Sequence, residues 1–200
     1  PGGTFDIGFN TLNVGGSVLI DGTLNGGGAI QITGAGQVRG SLAQLVILAP
    51  VTAAGNVTTS AGNNLNISAG GDFSPNGHSI TVGGSISTSN GGFLTMTNSA
   101  DQVSAINATF GGGDEAGRLT AGVISLTGSL FTVGNTPANR GPLDASGLHT
   151  FVFLGTGDHL IEGLAGATQV SFRNLNITNT TGKIGLTTQI DQRGKARHAN

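Results

Sequence analysis

Ten carboxylates and four histidines hold nearly all of the acid–base capacity of this 200-residue chain. Three of the acids, Asp144, Asp158 and Glu162, fall in the C-terminal third together with His149, His159, Arg140 and Arg173. A pair of carboxyl groups, one held protonated and one ionised, is the machinery of glycoside cleavage. Where strands stack about 4.8 Å apart, such groups can meet without being neighbours in sequence. Glycan cleavage is therefore the sharpest reading of this group. The plainer reading places the same residues on solvated bends, and composition favours it. Sugar clefts present aromatic platforms, and a chain without Trp or Tyr has only Phe to build one.

Other chemistry has less support. Asp114-Glu115, inside the run GGGDEAG at Gly111–Gly117, could attract a hard cation such as calcium. The run occurs once and lacks the G-x-G-x-D spacing of calcium-binding repeats, so it reads as a solvated, protruding loop. His149 and His159 are ten positions apart and His78 sits in a Pro-Asn-Gly-His turn, which gives no short ligand spacing. No metal and no cofactor are expected. There is no G-x-S-x-G, no Cys to serve as a thiolate, and no helix behind the glycine pairs 15–16, 70–71 and 83–84. Those glycines bend strands. Sequons at Asn56, Asn66, Asn107, Asn176 and Asn179 are what an Asn- and Thr-rich chain produces by chance. A flat threonine array would suit an ice surface, but Thr95-x-Thr97 and Thr178-x-Thr180 do not recur along the chain.

The elements that must position these residues follow from composition. Glycine supplies 37 residues and charged residues only 9 %, while mean hydropathy is +0.12. Disordered chains combine low hydropathy with high charge, so this one can build a core, and its Val, Ile, Leu and Phe make that core β-rich. A net charge of −2 leaves no basic footprint for nucleic acid or for an anionic membrane surface. The longest apolar run, at 45–50, is far below the roughly 20 residues of a membrane helix, so membrane insertion is not expected. The absence of Cys is compatible with either redox compartment. The chain opens at Pro1 and its one Met is Met96, which reads as a processed or excised piece whose export signal is lost.

Apolar residues alternate with period two, and Gly recurs too often for helix. Leu12-Asn-Val14, Val18-Leu-Ile20, Ile30-Gln-Ile32, Leu65-Asn-Ile67, Ile80-Thr-Val82, Leu94-Thr-Met96 and Leu175-Asn-Ile177 read as short strands closed by turn residues. One phrase returns: Leu12-Asn-Val-Gly-Gly-Ser-Val18 reappears as Ile80-Thr-Val-Gly-Gly-Ser-Ile86, and more loosely at 65–73 and 124–130. A single strand–bend–strand unit cannot bury its inner face, whereas stacked copies share one core. The fold class expected is all-β, a right-handed parallel β-helix (β-solenoid). At about 20 residues per coil it would have about nine or ten coils. An antiparallel β-sandwich or jelly roll is the alternative, but Asn-Gly hairpin signals are few, with Asn76-Gly77 and Asn90-Gly91 the clearest. Residues 1–190 form one solenoid domain with a loop or break near 111–117, and 191–200 form a frayed tail. In His149–Gly157, Phe151 and Phe153 share one face and Val152 and Leu154 the other, so Val152 and Leu154 are the expected lateral contact. Nothing charged or proline-rich caps the strand edges of Pro1–Phe9.

The stretches Gly71–Asn98 (GDFSPNGHSITVGGSISTSNGGFLTMTN), Ala121–Thr132 (AGVISLTGSLFT) and His149–Ile177 resemble repeat units of large exported bacterial β-helix proteins. These include autotransporter passengers, filamentous-haemagglutinin-like adhesins and related surface repeat proteins. The resemblance implies an extracellular or cell-surface location and a structural or adhesive role, and it carries no site residues. The expected protein is a non-catalytic rod that self-assembles into filaments or a surface layer. Its partners are further copies of itself or components of the cell surface and extracellular matrix. A carbohydrate-active β-helix enzyme and a trimeric phage-type fibre segment that binds glycans are the competing readings.

Overall fold

The computed structural model describes residues 3–134, 142–164, 169–179, 181–187, 189–192 and 196–198. It is an all-β solenoid of about eight turns with no helix. Every strand pairing among the described residues is parallel, which excludes the antiparallel sandwich. Each coil crosses three faces. The first face stacks Leu12–Val14, Ala29–Ile32, Gln44–Ile47, Leu65–Ile67, Ser85–Ser89, Asn107–Gly111, Leu130–Val133, His159–Leu164 and Ile184–Leu186. The second and third faces share long strands in the early coils. Val18–Asn25, Gly36–Leu42 and Pro50–Thr59 each run along both, with a register shift at the bend. Later coils separate them: Asp72–Ser74 and Phe93–Leu94 lie on the second face, and Ser79–Thr81, Gln102–Ala105, Val123–Leu126, Thr150–Phe153 and Asn174–Ile177 on the third.

Register converts alternation in sequence into columns in space. On the first face Leu12, Ile30, Leu45, Leu65, Ile86, Ala108, Leu130 and Ile161 pile up inward. On the third, Ile80, Val103, Ile124, Phe151 and Leu175 do the same. Up to the coil of Leu130, stacked neighbours stand 15 to 23 positions apart, as between Ile30 and Leu45 or Val57 and Ile80. They stand 31 apart between Ser129 and Leu160, and 25 apart between Asp158 and Lys183. These longer coils explain why about eight turns form where nine or ten were expected. A longer coil encloses a wider interior, and larger side chains fill it. Phe151 meets Phe172 edge-on at 5.2 Å and Phe110 at 6.2 Å, with all three rings buried.

The recurring phrase marks corners, and not always the same corner. Leu12–Val14 leads from the first face to the second, whereas Ile80 to Val82 leads from the third to the first. This is why the copies are unevenly spaced. At the first-to-second corner the preceding coil dictates glycine. A Cβ on Gly34 would stand 2.2 Å from the Gly15 carbonyl oxygen, on Gly71 2.5 Å from that of Ile47, and on Gly92 2.3 Å from that of Ile67. Asn76-Gly77 and Asn90-Gly91 have both residues at positive φ, as in hairpin turns, yet they turn solenoid corners between parallel-paired strands. Asn side chains tie other corners. Asn64 Oδ1 accepts from Ser85 N at 2.8 Å, and Asn107 Oδ1 from Ser129 N at 2.7 Å.

Two expectations about continuity change. The run Gly111–Gly117 does not break the rod, because Asn107–Gly111 and Val123–Leu126 pair with coils on both sides. Reaching into the expected tail, Gln189–Gln192 and then Ala196–His198 continue the parallel stack, although the sequence from 191 on had lost the alternation that marks strands.

The corner sterics give a direct test. In Val82-Gly83-Gly84-Ser85 a Cβ on Gly83 would lie 2.2 Å from the Ser60 carbonyl oxygen, whereas Gly15 in Val14-Gly15-Gly16-Ser17 has nothing within 4 Å. Gly83→Ala should cost about 1–3 kcal/mol or more, because backbone has to move, while Gly15→Ala should be close to neutral. Paired denaturation curves measure the difference, and equal losses would contradict the stacking.

Candidate functional site

Among the described residues, the acids and histidines of the C-terminal third go to different places. His149 and His159 turn into the core, 0 % and 2 % exposed, where each ring lies edge-on to a phenylalanine, His149 to Phe151 at 5.1 Å and His159 to Phe153 at 5.4 Å. His149 Nδ1 lies 2.6 Å from the Ala121 carbonyl oxygen, and His159 Nδ1 2.6 Å from that of Gly128. A carbonyl only accepts, so both rings carry their proton on Nδ1. Each Nε2 then faces the interior with no hydrogen-bond partner among the described residues. Asp144 is buried and its residue bridges in parallel to Ser171. Asp158 is exposed at a bend, where its Oδ1 accepts from Lys183 N at 2.8 Å. Glu162 lies on the first face in register with Phe131. Four positions along one strand separate Asp158 from Glu162, roughly 13 Å, too far for one glycosidic bond to lie between them. Arg173 Nε donates to the Gly147 carbonyl at 2.9 Å, and Arg140 lies outside the described residues.

The Asp114-Glu115 pair is split. Asp114 is exposed and its Oδ1 accepts from the Ala116 amide at 2.9 Å. Glu115 is buried, against the expectation of a solvated loop. Glycines on either side let the chain fold its carboxyl inward, and Glu115 N donates to the Pro142 carbonyl at 3.0 Å. Among the described residues no three His, Asp or Glu side chains converge on a point that could hold a metal ion.

What the solenoid does present is a face. On the outer side of the third face Thr4, Thr23, Ser41, Thr58, Thr81, Ser104 and Ser125 stack in one column, followed by Val152 and Asn176. Beside it run Ser79, Gln102, Val123, Thr150 and Asn174. Neither column carries a charge at these positions. Between them, from Ser79 to Ser125, runs an open furrow of about 370 Å³. Val152 and Leu154 lie on the outer side of this face, half-buried, while Phe151 and Phe153 fill the core behind them. Sequence reading missed the hydroxyl column because its spacing changes from coil to coil. The pairs sought instead, Thr95-x-Thr97 and Thr178-x-Thr180, lie elsewhere, and Thr180 is outside the described residues.

The fold and this surface together define a parallel β-solenoid. The chain matches no family model, no curated protein and no solved structure.

Burial lowers the basicity of His149, whose pKa falls from 6.5 to about 4; the Ala121 carbonyl and Asp101 oppose this only in part. A base whose folded pKa is depressed contributes stability that is present above pH 6.5 and is lost as pH falls from 6.5 towards 4. Nitrogen-15 spectra should therefore show the His149 ring neutral, protonated on Nδ1, down to about pH 4. A ring already charged at pH 6 would contradict its place in the core.

Proposed function

We propose that this protein is a non-catalytic structural rod that works outside the cell and whose first described coil seats a further solenoid coil. The observation that carries this reading is the state of that first coil. Its inward columns are open: Phe5 is 59 % exposed and Leu12 38 %, although their stacked partners Leu24 and Ile30 are buried. The free edges of Thr4–Asp6 and Leu12–Val14 offer unpaired backbone groups, which are a template for another strand. Gly15 and Gly16 have no neighbour that requires them, whereas later glycines at the same corner are forced by the coil before. The first coil thus has the shape of one that carries another on top. The third-face column, without a charged residue from Thr23 to Asn176 and with Val152 in it and Leu154 beside it, supports a second, lateral mode of contact. The extracellular setting rests on the resemblance to exported repeat proteins.

Sedimentation over a wide concentration range tests the seat. The expected result is concentration-dependent growth that Leu12→Lys abolishes, since an ammonium group at the mouth of the column cannot be buried unpaired. Leu12 is already partly exposed, so the variant should keep the solenoid's circular dichroism. A wild-type chain that stays monomeric at millimolar concentration would overturn self-association at this end.

A further inference from the structure

The segment between the first and second faces in the coil of Asn107–Gly111 is fastened at both ends and carries one buried acid in its middle. At its start the Gly111 and Gly112 amides donate to Thr88 Oγ1 at 3.2 and 3.3 Å, and the Gly112 carbonyl accepts from Gly91 N at 2.8 Å. At its end the Arg118 guanidinium lies 3.8 Å over the Phe93 ring. The same group donates to Asp72 Oδ2 at 2.6 Å and to Thr95 Oγ1 at 3.1 Å. Between these clamps Asp114, Ala116 and Gly117 face solvent, and Glu115 alone turns inward, fully buried.

Among the described residues no donor is well aligned on either carboxyl oxygen of Glu115. The Thr88 side chain and the Leu94 backbone face it, and the charged groups that act on it are Arg118 and Asp72. Asp101 shows how this fold furnishes a buried carboxyl with aligned donors. Its two oxygens take the Gly77 amide at 2.5 Å and the Asn98 amide at 3.0 Å. The Leu94 backbone and the Thr88 side chain serve Glu115 less well, so its pocket favours the neutral acid. The backbone around it is built to move: Gly113 and Gly117 both sit at positive φ, and Gly117 has open space around it.

We propose that Glu115 latches this strap: segment 112–117 stays tucked against the corner while the carboxyl holds its proton, and swings out when the proton is lost. Ionisation replaces a tolerable buried acid with a buried anion that its neighbours hold poorly, and solvent lies one glycine hinge away. Burial, opposed in part by Arg118, the Leu94 backbone and the Thr88 side chain and reinforced by Asp72, pushes the closed-state pKa from 4.5 to about 8.

An acid whose pKa is raised only in the closed state favours opening as pH rises. The open fraction should grow about tenfold per pH unit between 4.5 and about 8, then level off. Hydrogen exchange of the strap amides across pH 5–9, corrected for intrinsic rates, reads this out directly. The wild-type chain should show that slope and plateau in the strap alone, with Leu65–Ile67 and Ser85–Ser89 unaffected. Glu115→Gln, which keeps the shape and cannot ionise, should give a flat profile. A flat profile in the wild type, or the same slope in Glu115→Gln, would overturn the latch.

Discussion

Parallel backbone pairing in strict register is the constraint on which the rest of this molecule depends. Once each coil lies about 4.8 Å above the last with its residues aligned, every position inherits the chemistry of the positions above and below it. An apolar residue in one coil calls for an apolar residue in the next, and a corner that comes close to its neighbour calls for glycine. The consequences are visible at Leu45, Leu65 and Ile86 in the core and at Gly71 and Gly92 at the corner. Polar residues obey the same rule. Ser87 donates to Asn66 and Ser89 to Ser68, each satisfying the residue one coil away.

The same constraint explains where titratable groups end up. A solenoid strand has one dry side, and sequence parity alone decides which side chains enter it. His149 and His159 share parity with Phe151 and Phe153 and so become core residues. Sequence grouped them with the acids of the C-terminal third, but both fill the wider interior of the long C-terminal coils. Aligned carbonyls at the corners provide what a buried imidazole needs, a single acceptor for Nδ1. Glu115 has entered a corner that provides no equivalent.

Much of the architecture was legible in the sequence. Period-two alternation, turn residues at strand ends and a returning strand–bend–strand phrase pointed to a parallel solenoid, and the strands at 12–14, 65–67 and 174–177 lie where alternation placed them. The coil count was less legible, because insertions such as that between Ser129 and Leu160 add length without adding a turn. The inward turn of Glu115 left no trace in sequence, since GGGDEAG has the composition of a solvated loop. The hydroxyl column from Thr4 to Ser125 was hidden for a related reason: variable coil lengths scramble its spacing, and only register reveals it.

The register itself can be measured most directly with introduced cysteines, because the chain has none of its own. Asn66 and Ser87 are stacked partners on the outer side of the first face, and Ser104 and Ser125 are stacked partners on the third. Neighbouring strands bring such pairs within the Cα separation of about 4.4–6.8 Å that a disulfide accepts. Rapid oxidative closure of Asn66→Cys/Ser87→Cys and of Ser104→Cys/Ser125→Cys, with slow closure when one cysteine is moved two residues along its strand, is the result this account predicts. Slow closure of the aligned pairs, or faster closure of the shifted ones, would contradict it.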